Sequence, residues 1–312
     1  EMAARLLGGP AVLNLTRPEG SRPEDFHLSR RGLAAALAGG YALTAFSAEA
    51  APIATDAAGL IAETVEVWTP DRSIPAYVAR PRARGRFPVV VVISEVFGVH
   101  EYIRDICRRL AKLGYVAVAA DFFVRAGDPS KVTDFAEVRR LVSESSEAEV
   151  LSDLSSTLDF IKAQPYADPG KIAVTGFCWG GAVAWQAAAR FPDVKAAAAW
   201  YGRLAAPKPG EFLGEADRTW PIQFAGQLKA PVLGLYAGKD QGIPLSDVEA
   251  MKAALAAAGQ ARSSLVVYPD SQHGFHADCR ASYDEAAAKD GWARMLAHFA
   301  ANGVKPKAFK AS

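Results

Sequence analysis

Three short loops in this chain carry side-chain types that together could cleave an activated carbonyl. The first is Gly176-Phe177-Cys178-Trp179-Gly180-Gly181, which lies between an apolar, strand-like run (171–175) and a helix-like one (179–190). This is G-x-S-x-G with cysteine in place of serine. In that pattern the nucleophile sits on a sharp strand-to-helix turn, and side chains at the glycine positions would collide. The sulfur would lie at a helix N-terminus, whose positive dipole end favours thiolate. The backbone N–H of Trp179 would then face a developing oxyanion. A glycine-rich turn around an inert buried thiol fits the same six residues.

A thiol nucleophile needs a base, and the base needs an orienting group. Gly238-Lys239-Asp240-Gln241-Gly242-Ile243-Pro244 follows the apolar run 232–237, and Asp270-Ser271-Gln272-His273-Gly274-Phe275 follows the run 264–268. The order Cys, Asp, His is that of α/β-hydrolases. Taken singly, Asp240 also fits a helix cap and His273 a turn closure. The chain has five histidines. His27 falls in the amino-terminal stretch, His298 falls inside the last helical run, and His276 is less well placed than His273 for a strand-end loop. Glu95, in Ile93-Ser94-Glu95-Val96-Phe97-Gly98-Val99, follows another apolar run and is either a solvated loop charge or a fourth functional group.

The elements that must position these loops alternate. Residues 63–69 and 74–80 are β-rich runs around Pro70-Asp71, which predicts an antiparallel hairpin. Residues 88–93 form an unbroken apolar run, as expected of a strand buried on both faces. Helical spacing over 102–113 is followed by a strand over 115–120, and one long helical region is predicted over 133–163. Later units are strands at 171–175, 196–201, 232–237 and 264–268, and helices at 179–190, 245–258 and 282–301. This predicts an α/β fold: a mostly parallel sheet with helices on both faces and an N-terminal antiparallel hairpin. Ligands in such folds bind beyond the carboxyl ends of the strands, where all four candidate residues fall. Residues 203–229, with Pro207, Pro209 and Pro221, are too long for a turn and are expected to form part of the site's rim.

The chain has 312 residues, with 35 Lys+Arg against 34 Asp+Glu. The balance carries no basic footprint for nucleic acid. Three cysteines are too few for a disulfide scaffold, and C-x-x-C zinc spacing is absent. Cys107 and Cys279 are read as buried thiols, with a bridge between them as the alternative. Ser29-Arg30-Arg31, an uncharged Ala/Gly-rich run over 33–48 and Ala48-Glu49-Ala50 follow the grammar of a twin-arginine export signal, which predicts a periplasmic protein. A start-site error or an amphipathic extension is the alternative, with a cytoplasmic location. The run is too short and dilute for a stable membrane span. The expected organisation is an extension over 1–60, a hydrolase domain over 61–303 and a tail over 304–312.

With S-E-V-F-G-V, G-F-C-W-G-G, G-K-D-Q-G-I-P and H-G-F in hand, the sequence over about 62–303 resembles the dienelactone hydrolase family, cysteine-dependent members of the α/β-hydrolase fold. The resemblance implies Cys178 as nucleophile, Asp240 and His273 as its partners, and Glu95 as a fourth group against which the neutral thiol rests until substrate binds. It implies the backbone N–H groups of Val96 and Trp179 as oxyanion donors. The implied reaction is attack on an ester or lactone carbonyl, an acyl-thioester intermediate and hydrolysis by water, with no metal or organic cofactor.

Family members that act on dienelactone hold its carboxylate with arginines, one of them four residues after the histidine; here that position is Ala277. Arg280, Arg125, Arg139, Arg140 and Arg203 are the other candidates, none matched by motif. Phe97, Tyr201 and Phe275, with Phe122, Phe123 and Trp179, are expected around an acyl pocket or in the core. The leading reading is a dienelactone hydrolase-like (carboxymethylenebutenolidase-type) enzyme acting on a small-molecule substrate. A broad carboxylesterase on small neutral esters is the runner-up. A non-catalytic binding protein on the same fold would be expected to lose a triad member, and a thiol redox sensor lacks a second cysteine near Cys178 in sequence.

Overall fold

The computed structural model describes residues 52–214 and 216–310. The twin-arginine pair, the Ala/Gly run and His27 lie outside the described residues. An eight-stranded sheet runs in the order β1-β2-β4-β3-β5-β6-β7-β8. β1 (Leu60–Trp68) and β2 (Ser73–Pro81) form the expected hairpin, and β2 joins β4 (Val116–Ala120) antiparallel. All later pairings, through β3 (Phe87–Ile93), β5 (Ala167–Phe177), β6 (Val194–Trp200), β7 (Val232–Ala237) and β8 (Ser264–Tyr268), are parallel. Every residue of β3 and β4 is buried, which explains their unbroken apolar character.

Helices cover the sheet: α1 (Glu101–Leu113), α2 (Phe135–Glu144), α3 (Glu147–Lys162), α4 (Trp179–Arg190), α5 (Leu245–Ala257) and α6 (Glu285–Ala301). The single helix expected over 133–163 is two. Ser146 accepts from Glu149 N, and the Glu149 side chain accepts from Ser146 N at 3.0 Å, a capping box that starts α3 afresh. The pattern S-x-x-E was legible in the sequence, but helical periodicity on both sides obscured the break.

From β3 the chain moves outward to β4, and from there it crosses back to β5 on the other side of β3. The strand order therefore reverses between β3 and β5, where an open α/β sheet leaves a crevice at its carboxyl edge. The β3 loop carries Glu95 and the β5 turn carries Cys178, so both flank that crevice.

The packed unit extends past the boundaries expected for it. At the amino end, Thr55 N donates to Asp105 Oδ1 at 2.5 Å, and Arg108 Nε donates to the Thr55 carbonyl at 2.7 Å. Asp105 and Arg109, both buried on α1, join this strap to Asp278 in the loop before α6. At the carboxyl end, residues 304–310 lie along the domain: Tyr115 donates to the Val304 carbonyl and Phe309 packs edge-on against Phe87.

Candidate active site

The turn after β5 is strained. Cys178 has φ 55° and ψ −116°, a backbone conformation that costs on the order of 1–3 kcal/mol. The strain is held from both sides. Cys178 N donates to the Trp200 carbonyl of β6, and Gly181 N donates back to the Cys178 carbonyl, each at 2.9 Å. A Cβ on Gly180 would sit 2.5 Å from the carbonyl oxygens of Ile93 and Ser94, so any side chain there would push α4 off the β3 end. Cys178 is the N-cap of α4, and its sulfur therefore sits in the positive field of that helix.

His273 Nε2 lies 3.1 Å from Cys178 Sγ, and His273 Nδ1 lies 2.7 Å from Asp240 Oδ2. Asp240 Oδ1 accepts from Gly242 N at 2.8 Å and Ile243 N at 3.1 Å, so the carboxylate is buried and its acceptor directions are occupied. As an acceptor toward Nδ1–H, it places the imidazole with Nε2 facing sulfur. The two loops are tied to each other by Lys239 N donating to the Ser271 carbonyl at 2.9 Å. The Tyr201 ring packs edge-on against His273, with centroids 5.1 Å apart. Burial acts to lower the His273 pKa, but the neighbouring sulfur and the hydrogen bond with Asp240 override it, raising it to about 10. The site thus favours an imidazolium next to the sulfur.

Glu95 is fully buried, but not where the resemblance implies. Its Oε2 accepts from Arg280 Nη2 at 2.6 Å and lies 3.7 Å from His100 Nε2. Burial pushes its carboxyl up; Arg280, His100 and His273 together reverse this and hold it below the ordinary glutamate value. The sulfur rests against His273 rather than Glu95, which corrects the expected resting contact. The physical reason is charge: a buried carboxylate takes the guanidinium in preference to a weak S–H donor.

A cavity of about 350 Å³ opens over Cys178, with Val96, Trp179, Tyr201, Asp240 and His273 among its lining residues. Val96 and Trp179, the expected oxyanion donors, thus sit at the cavity. Of Phe97, Tyr201, Phe275 and Arg280, only Tyr201 lines it. Phe275 is fully buried against Trp200 and Tyr201. Phe97 packs against His100 and Phe135 and under the Arg280 guanidinium, 4.9 Å away. Arg280 is consumed by Glu95, and Arg125 by Asp71 and Asp153. Arg140 pairs with Glu137 and Glu144, and Arg139 stacks over Phe212. His276 is buried, with its Nδ1 2.6 Å from the Tyr102 hydroxyl, and takes no part at the sulfur. Cys107 and Cys279 are buried and free, so no bridge joins them.

The segment over 203–229 does line the site. Arg203, Phe212, Leu213, Arg218, Thr219 and Trp220 all reach the cavity. Of these only Arg203 was singled out from sequence. The others lie in an irregular stretch with no periodicity to aim them.

The model of the dienelactone hydrolase family matches residues 74–303. The chain belongs to the dienelactone hydrolase family. Membership makes it a hydrolase of the ester and lactone type. A relative from Methylorubrum extorquens named "Putative carboxymethylenebutenolidase" is 47% identical over 283 residues, covering 89% of this chain and 94% of the relative. A relative of the same name from Salmonella typhi is 47% identical over 237 residues, covering 74% and 84%. Among solved structures, a "Putative Dienelactone Hydrolase" from Klebsiella pneumoniae superposes with TM-score 0.72 at 46% identity, covering 77% of this chain and 98% of that one. In this member of the dienelactone hydrolase family, no described helix is long and apolar enough to cross a membrane.

Proposed function

We propose that this chain hydrolyses the acyl C–O bond of lactones of the carboxymethylenebutenolide type through Cys178. The observation that carries the proposal is the Cys178 sulfur, held on a strained backbone turn 3.1 Å from the His273 imidazole and open to a cavity. Cys178 Sγ, its proton held by His273 Nε2, adds to the carbonyl carbon, and the carbonyl oxygen becomes an oxyanion that takes hydrogen bonds from the backbone N–H groups of Val96 and Trp179. Collapse expels the ring oxygen, which takes the proton from His273 Nε2 and leaves an acyl thioester on Cys178. Water then loses a proton to His273 as it attacks the thioester carbonyl, and the thiolate departs as leaving group. Asp240 holds the imidazole orientation throughout. Glu95 acts through its charge on His273 and through Arg280, which it anchors beside the His273 loop.

The largely apolar walls also suit small neutral esters, the runner-up reading. Rates on the lactone and on p-nitrophenyl acetate, measured on wild type and on Cys178→Ala, test both. The expected result is turnover by wild type, an acyl adduct on Cys178 seen by mass spectrometry after rapid quench, and no turnover by the variant. Undiminished activity in Cys178→Ala overturns the proposal, and a wild type faster on the neutral ester selects the runner-up.

For location, Ser29-Arg30-Arg31 followed by the uncharged run and Ala48-Glu49-Ala50 supports export to the periplasm. Replacing both arginines with lysine should retain an uncut chain in the cytoplasm. Equal export of that variant would overturn this reading.

A further inference from the structure

A second concave surface lies at the edge of the sheet opposite Cys178. Residues 80–86 read Arg80-Pro81-Arg82-Ala83-Arg84-Gly85-Arg86, and the carboxyl-terminal segment carries Lys305, Lys307 and Lys310. The arginine tract is the end of β2 and its link to β3, so it meets the amino end of β3. The length of β3, about 20 Å, separates it from the crevice that holds the catalytic loops. The carboxyl-terminal segment is seated beside it. Lys307 N donates to the Gly114 carbonyl at 3.2 Å, Lys307 Nζ donates to the Arg86 carbonyl at 3.1 Å, and Phe309 packs on Phe87. Between the two tracts opens a pocket of about 530 Å³, lined by Arg80, Arg82, Arg84 and Lys310 with Ile61 and Ala83. No acid is among its described lining residues.

The acids nearby are committed or stand off. Asp56 pairs with Lys112 at 2.7 Å and Asp168 with Lys171 at 3.0 Å. Glu63, on β1, acts on the Tyr166 hydroxyl through its charge, and it forms no ion pair among the described residues. The Arg80 guanidinium is braced 4.2 Å from the Tyr166 ring centroid, and its Nε is buried with no hydrogen-bond partner among the described residues. Arg82 donates to the Leu60 carbonyl at 3.1 Å. Arg84 and Lys310 are exposed and make no ion pair among the described residues. The whole chain carries a net charge of only +1, so this is a local concentration of positive charge. Self-repulsion of that kind destabilises the fold, and a bound polyanion offsets it.

We propose that this pocket is a second binding site, apart from the hydrolytic one, for a soluble anion that bears two or more linked phosphate groups. Arginine presents donors in a planar fork that matches phosphate oxygens, and lysine adds a point charge. Arg80, held against Tyr166, is the anchor. Arg82, Arg84 and Lys310 supply charge to the remaining oxygens. A monoanion would leave most of these four charges unanswered, whereas linked phosphates answer them together. The concave shape suits a compact free anion.

The test is isothermal titration calorimetry of the full chain with inorganic tripolyphosphate at low ionic strength. Wild type should bind it, more tightly than orthophosphate, and added salt should weaken binding. Arg80→Gln and the double variant Arg84→Gln/Lys310→Gln should each weaken binding by about tenfold or more, as for loss of hydrogen bonds to a charged group. The double variant Lys252→Gln/Lys289→Gln removes the same amount of charge on α5 and α6 and should bind as wild type does. All variants should keep wild-type turnover of p-nitrophenyl acetate. If Arg80→Gln fails to fold, the exposed Arg84 and Lys310 pair still reads the pocket. No binding by wild type, affinity equal to that for orthophosphate, or equal weakening in the α5–α6 variant overturns the site. Binding to vesicles of phosphatidylglycerol and phosphatidylcholine without binding to tripolyphosphate overturns it in favour of a membrane contact. Calorimetry needs no turnover, so failure here leaves the hydrolase reading intact.

Discussion

Asp240→Asn removes one charge and leaves the shape. Asp240 Oδ1 caps Gly242 N and Ile243 N at 2.8 and 3.1 Å, and the asparagine carbonyl oxygen can keep both. The amide nitrogen then takes the place of Oδ2, 2.7 Å from His273 Nδ1. Because it is a donor, it turns Nδ1 into an acceptor, so the proton of a neutral imidazole moves to Nε2 and faces the sulfur. His273 can then no longer accept a proton from water in deacylation, and the imidazolium loses its buried counter-charge. The lost charge-assisted hydrogen bond alone is worth about 1.5–3 kcal/mol, and the wrong tautomer brings the expected fall in kcat to about 10²–10⁴-fold. Urea unfolding separates this from a folding defect. Asp240→Asn, which keeps both caps, should lose no more than the roughly 1.5–3 kcal/mol of that hydrogen bond, whereas Asp240→Ala, which strips both caps from a carboxylate site only 1% exposed, should lose about 2 kcal/mol more. A kcat for Asp240→Asn within tenfold of wild type would refute the orienting role.

Four further outcomes follow from the geometry. The His273 imidazole should titrate well above 6.5 by NMR, toward about 10, and Cys178→Ala should move its midpoint down, because the sulfur is the largest influence raising it; an unmoved midpoint would count against the sulfur–imidazole pairing. The raised pKa also means that His273 stabilises the fold fully below about pH 6.5, and that this contribution fades as pH climbs through about 10. Gly180→Ala should abolish activity and lower Tm, since its Cβ would meet the Ile93 and Ser94 carbonyl oxygens at 2.5 Å; a fully active variant would contradict the close approach of α4 to β3. Arg109→Met should cost about 3–5 kcal/mol in urea unfolding, because it leaves Asp105 and Asp278 buried without their shared guanidinium; a loss under 1 kcal/mol would show the cluster to be neutral.

The strand–helix alternation, the order of the loops bearing Cys178, Asp240 and His273, and the glycines around Cys178 were all readable in one dimension. Each rests on a local rule: apolar runs make buried strands, and a tight strand-to-helix turn excludes side chains. The placement of Glu95 at the site was readable for the same reason, as it follows a buried strand. Its partner was not. Arg280 lies far from Glu95 in sequence, and a guanidinium near a histidine looks equally suited to substrate until its internal carboxylate is seen. Phe97 and Phe275 miss the cavity because aromatic type says nothing about which side of a loop turns inward. Arg218 lies in a stretch without periodicity, where neither helix nor strand spacing assigns a face. Chain order and local sterics therefore settled which loops meet at the sheet edge, whereas long-range charge pairing settled which cations remain free to meet a ligand. That pairing depends on distances between segments far apart in the chain, and these exist only once the sheet has formed.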